Sequence, residues 1–122
     1  MSYPVMYANF WTAELTGSVR VFKQPGQKAM MSHYSVRSAT WGLVGLVPES
    51  LVMSGNSGCL VCSGIYEPAV GDRVNGRLRA TCTGTTENDP GSVNFTFQSM
   101  TGEVLADTGV QKVTRGSVFV QG

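Results

Sequence analysis

A single all-β domain, built as an antiparallel sandwich, jelly roll or small closed barrel with a C-terminal meander, is the fold that three features of this sequence predict. Residues 72–83 alternate polar and apolar without a slip. Val74, Leu78, Ala80 and Cys82 fall on one side, and Arg73, Asn75, Arg77, Arg79, Thr81 and Thr83 on the other. Successive side chains of a strand point to opposite faces, so this period of two marks a half-buried antiparallel strand. Turn-forming clusters then recur along the chain at intervals of about eight to twelve residues, the spacing of short paired strands. Finally, 15 glycines accompany a charged fraction of 14%, well below the ~25% of ordinary soluble domains. Polarity carried by Ser, Thr, Asn and Gln suits strands and tight turns and is poor in helix formers.

Taken in order, residues 3–11 read as a strand apolar on both faces, with Val5, Tyr7 and Trp11 on one side and Met6, Ala8 and Phe10 on the other. A small antiparallel fold keeps one face wet, so this segment needs cover, from a loop on its back or from a neighbouring subunit. Residues 1–11 are therefore set apart as an N-terminal docking strand or arm, and residues 12–122 as one all-β domain. Residues 14–22 give a strand with Leu15, Val19 and Val21 on one side and Thr16 and Arg20 opposite. A Pro-Gly turn follows at residues 24–27. Residues 29–41 read as one long or bulged strand, with a short helix as the alternative. The cluster at residues 54–57 separates strands at 51–53 and 58–66. The loop at residues 84–91 precedes a strand at 92–100, Thr101-Gly102 turns the chain back through residues 103–106, and two short strands near 110–113 and 117–120 finish it.

A net charge of +1 and a pI near 7.7 argue against a dedicated duplex-DNA binder, whose pI usually exceeds about 9. No basic n-region and apolar h-region open the chain. The longest apolar stretch, residues 41–48, is interrupted by Gly42 and Gly45 and falls short of the ~20 residues of a membrane span. Three cysteines, an odd number, point to reduced thiols. The expected location is cytoplasmic at synthesis, with a virion as the final setting and no membrane partner.

Cys59 and Cys62 have C-x-x-C spacing, and Cys82 and His33 are the residues that come nearest to completing a zinc set with them. A three-residue offset on a strand sends two thiols to opposite faces, which defeats chelation, so no metal and no other cofactor is expected. His33 is the only histidine and has no nucleophile elbow to serve. Glu87-Asn88-Asp89 is accounted for as turn chemistry. No phosphate-binding glycine loop is present. The chain is expected not to be an enzyme, and no catalytic residue is nominated.

What remains is architectural. The expected function is a homo-oligomeric structural or assembly module, a virion component such as a bacteriophage capsid decoration protein, whose partners are itself and a larger protein shell. In that reading Tyr3, Val5, Tyr7, Phe10 and Trp11 dock on a neighbour, and Arg73, Arg77 and Arg79 meet an acidic partner surface. The alternative is a single-stranded nucleic-acid-binding barrel of the OB type, with Arg73, Arg77 and Arg79 as phosphate contacts and Tyr34 and Trp41 as stacking platforms. A carbohydrate-binding sandwich using Trp11, Trp41 and Tyr66 is the third. Against the nucleic-acid reading stands a plain solvated arginine face, or arginines paired with acids on an adjacent strand such as Glu103 or Asp107.

Overall fold

Ten strands and no helix make up the regular structure of the described residues, 3–23 and 29–121 of this computed structural model. They are β1 (Tyr3–Trp11), β2 (Thr16–Lys23), β3 (Met30–Arg37), β4 (Trp41–Ser54), β5 (Ser57–Pro68), β6 (Val74–Thr83), β7 (Ser92–Ser99), β8 (Val104–Asp107), β9 (Gln111–Lys112) and β10 (Arg115–Val120). All pair antiparallel in one sheet, ordered β10-β1-β2-β3-β4-β5-β6-β7-β8, with β9 joined to β7 at Ser92 and Val93. A sandwich or jelly roll divides its strands between two sheets; this chain runs as a single curled one. The curl is tight enough that Phe10 of β1 and Phe95 of β7, with five strands between them in the order, stack with ring centroids 5.7 Å apart. The Thr85 backbone N–H, just past β6, donates to the Val118 carbonyl of β10, and the Val118 N–H donates to Thr85 Oγ1, both at 2.8 Å.

The concave face holds the core. Met6, Ala8 and Phe10 from β1, Val19 and Val21 from β2, Tyr34 and Val36 from β3, Leu43 from β4, Leu60 and Cys62 from β5, and Phe95 and Phe97 from β7 are all buried. In β6 the alternation holds as expected: Gly76, Leu78, Ala80 and Cys82 point in, and Asn75, Arg77 and Arg79 point out. The strand begins at Val74, which leaves Arg73 in the preceding loop rather than on the strand face.

Residues 29–41 are neither one long strand nor a helix. Ser38 breaks them: its Oγ accepts from the Thr40 and Trp41 N–H groups, both at 3.2 Å, and its own N–H donates to the Trp41 carbonyl. This short side chain satisfies a tight turn locally, so β3 and β4 pair as a hairpin. β4 then runs through Pro48, which sits where the β4–β5 register shifts, a place where a missing N–H costs no ladder bond. The turn at residues 54–57 joins β4 to β5 with Gly55 at φ +58°, the left-handed value its first central position needs. At the C-terminus, Gly116 lies inside β10 rather than punctuating it. Its φ is +93° and an added Cβ would collide with the Asn9 carbonyl of β1, so only glycine lets β10 lie against β1 there. The expected turn at residues 24–27 lies outside the described residues.

Residues 3–11 form a strand inside the sheet, flanked by β10 on one side and β2 on the other. They do not project as an arm. No helix among the described residues is long and apolar enough to cross a membrane.

Candidate nucleic-acid interface

The outward face of β1 explains its two apolar sides. Opposite the buried row of Met6, Ala8 and Phe10 stand Tyr7, Asn9 and Trp11. The cover for the two aromatic rings comes from neighbouring strands: the Arg20 guanidinium of β2 lies over the Tyr7 ring, 5.0 Å from its centroid, and that of Arg115 of β10 lies over Trp11 at 5.1 Å. Each is a directly opposed cross-strand pair. Such a contact contributes about 0.5–1 kcal/mol at an exposed site, and Trp11 stays 42% exposed. The end of β1 is fixed by the Thr114 N–H and Oγ1, which both donate to the Trp11 carbonyl.

The register extends these pairs into rows across four strands. One row runs Phe119, Tyr7, Arg20, His33; a second, polar, runs Ser117, Asn9, Ser18, Ser35; a third runs Arg115, Trp11, Thr16, Arg37. Phe119 is 47% exposed. β10, β1, β2 and β3 together contain four Lys or Arg residues and no Asp or Glu, whereas the remaining chain holds five basic residues against eight acidic ones. A net charge near zero therefore conceals a strongly cationic half-face. Aromatic rings interleaved with arginines and a band of small polar side chains can take stacked planar groups and anionic oxygens together.

The residues expected to form the functional surfaces are dispersed. Arg73 is ion-paired with Glu67 at 3.1 Å, and Arg77 with Glu49 at 3.0 Å; these acids, not Glu103 or Asp107, are their partners. Arg79 stands on the outer face of β6 next to Thr96 of β7, with no carboxylate in ion-pair distance among the described residues. Tyr34 cannot serve as a stacking platform, because it is buried edge-on against Phe95, centroids 5.9 Å apart. Its hydroxyl has no hydrogen-bond partner among the described residues, and burial holds its pKa well above the usual range. Trp41 lies at the far end of β4 and stacks on Tyr66. Of the five residues expected to dock on a neighbour, Val5 and Phe10 are spent in the core, Tyr7 and Trp11 face outward, and the Tyr3 side chain lies outside the described residues. Asp89, in the loop read as turn chemistry, accepts from the Gly91 N–H at 2.8 Å and pairs with Lys112 at 3.0 Å, which hold its carboxyl below the usual range.

Cys59 points outward on β5 while Cys62 and Cys82 point into the core, so the three thiols straddle the sheet, and His33 is on the outer face of β3. Among the described residues no group of His, Cys, Asp and Glu is arranged to hold a metal. Burial pushes the thiols of Cys62 and Cys82 from 9.0 up to about 12, helped by Glu49 near the former and Cys59 near the latter. Groups held neutral in this way contribute stability that is complete below pH 9.0 and is lost as pH rises toward about 12, since only the unfolded chain ionises in that window. Urea unfolding across that window is expected to show a fall of up to ~1.4 kcal/mol per pH unit for each thiol, and Cys82→Ala is expected to flatten the slope.

Comparison with known protein families, curated proteins and solved structures finds no match to this chain.

Proposed function

We propose that the chain is a non-enzymatic binding module that holds single-stranded nucleic acid across the outer face of β10, β1, β2 and β3. The observation that carries this reading is the acid-free, arginine-rich face with Trp11 and Phe119 exposed on it and Tyr7 half-buried beside them. Tyr7 and Trp11 are four residues apart on one strand, about 13 Å at ~3.3 Å per residue, and a base can stack at each point on the guanidinium plane that lies over the ring. Every base offers a π-face, so such platforms bind single strands with little sequence preference, while the arginine forks reach phosphate. We take the curl of the sheet as the small-barrel form of the fold, supported by the Phe10–Phe95 contact and the Thr85–Val118 bonds, an architecture well suited to carrying a strand on an outer face. Self-association through this face is disfavoured, because two copies would oppose cation to cation.

Fluorescence anisotropy with a labelled oligothymidine about twelve nucleotides long tests the proposal. Binding is expected to weaken with salt at a log–log slope near −0.7 for each phosphate contact, hence about −2 for Arg20, Arg37 and Arg115 together. Arg20→Glu/Arg115→Glu, folded by circular dichroism, is expected to lose most of that slope and to bind at least about tenfold more weakly. Binding that is undiminished in this variant, or absent in the wild type at low salt, contradicts the proposal; preference for an acidic peptide over the oligonucleotide reassigns the face to a protein partner.

A second reading, self-association as a structural module, is favoured by a different surface from the one the sequence suggested. The outer side of β4 exposes Leu46 at 49%, Val47 at 63% and Val52 at 64%, and Val44, Val61 and Ile65 adjoin them. These side chains carry no charge and can face their own copy. Val47→Glu/Val52→Lys is expected to convert any oligomer seen by light scattering into monomer, and a wild type that is monomeric at all concentrations removes this reading.

A further inference from the structure

A second site, independent of the cationic face, lies at one end of the curled sheet. There the β1–β2 turn, the β3–β4 turn and β8 border an open cleft of about 630 Å³, within the size range of pockets that take a small organic molecule. Leu15, Leu105 and Trp41 are its apolar lining residues, and Glu14, Asp107 and Thr108 are among its polar ones. Among the described residues no Lys, Arg or His lines it, in contrast with the arginine-rich outer face.

The position of Trp41 is held from two sides. Its N–H donates to Ser38 Oγ, and its ring stacks on Tyr66 with centroids 6.3 Å apart, which in turn stacks on buried Phe97 at 5.7 Å. This ladder ties the wall of the cleft to the core, so the indole is pre-ordered before any ligand arrives. Asp107 is also oriented, since its Oδ1 accepts from the Gly109 N–H at 3.1 Å. Neither Glu14 nor Asp107 has an ion-pair partner among the described residues.

We infer that this cleft binds a small organic cation, an ammonium compound whose charge sits against the Trp41 face and between the Glu14 and Asp107 carboxylates. An indole is the best of the aromatic rings for holding a cation, and two unpaired carboxylates with no competing base give the lining one sign of charge. A neutral saccharide would use the same indole but would draw nothing from the charge, so charge dependence separates the two ligand classes.

The experiment is a titration of the full chain with choline, following the two tryptophan indole signals by NMR. Its neutral carbon isostere and maltose serve as controls. Saturable movement of the Trp41 signal is expected, with an affinity near ~1 mM and no movement of Trp11. Asp107→Asn is expected to weaken binding about two- to fivefold, the effect of one exposed ion pair, and Glu14→Gln/Asp107→Asn about tenfold. Both variants change exposed side chains and are expected to keep the native spectrum and the wild-type affinity for oligothymidine. Trp41→Ala is expected to abolish the interaction, and the carboxylate variants keep the test decisive if that protein does not fold. The proposal is overturned if choline at about 10 mM leaves the Trp41 signal in place, if the isostere or maltose binds as well as choline, or if the double carboxylate variant binds unchanged.

Discussion

Deleting residues 1–11 is expected to abolish folding. β1 lies between β10 and β2 and is bonded to both along its length, so its loss leaves β10 without its sheet partner and β2 as an open edge. It also removes Val5, Met6, Ala8 and Phe10 from the core. Burying each of the three larger side chains is worth about 1.5–3 kcal/mol, and their sum is comparable with the whole net stability of a domain, about 5–15 kcal/mol. The truncated chain should show no cooperative urea transition and a collapsed amide proton spectrum. A truncated chain that melts cooperatively with the parental circular dichroism spectrum would mean that the segment is a dispensable arm.

Phe95→Ala is expected to be the most damaging single substitution, with a loss of about 3–5 kcal/mol. Phe95 is fully buried, stacked on Phe10 with an interplanar angle of 17° and met edge-on by Tyr34. It is therefore where β1, β3 and β7 converge. The ring's removal leaves a cavity bordered by the Tyr34 ring. In urea the midpoint should fall with the slope unchanged, whereas Phe119→Ala, on the exposed outer face, should stay within about 0.5 kcal/mol of the parent. Equal losses for the two would show that the interior is not packed around Phe95.

The parts of the fold that were legible in the sequence are those fixed by local chemistry. The β6 alternation, the turn around Gly55 and the hairpin at Thr101-Gly102 depend on residues adjacent in the chain. There, Gly102 adopts φ +93° and its N–H donates to the Ser99 carbonyl. The β3–β4 break was also local, but Ser38-Ala39-Thr40 lacks glycine and proline and so carries a weak turn signal. The role of β1 was not legible, because the residues that cover Tyr7 and Trp11 include Arg115, more than a hundred positions away. Likewise Arg77 meets Glu49 across β5, a pairing that only the register supplies.

One available signal went unused. Seven of the eight carboxylates fall between residues 49 and 107, so both ends of the chain are nearly free of acid. The net charge of +1 averages that segregation away, and of the three arginines near β6 two have carboxylate partners. Pairing of the two chain ends through β1 and β10 then gathers the acid-free segments onto one face.

Ultraviolet crosslinking of the full chain to a uracil-containing single strand, with the modified peptides identified by mass spectrometry, tests this assignment most directly. Crosslinks at Tyr7, Trp11 or Phe119, lost together on adding high salt, are the predicted result. Crosslinks confined to the β6 peptide carrying Arg77 and Arg79, or none at low salt, would contradict it.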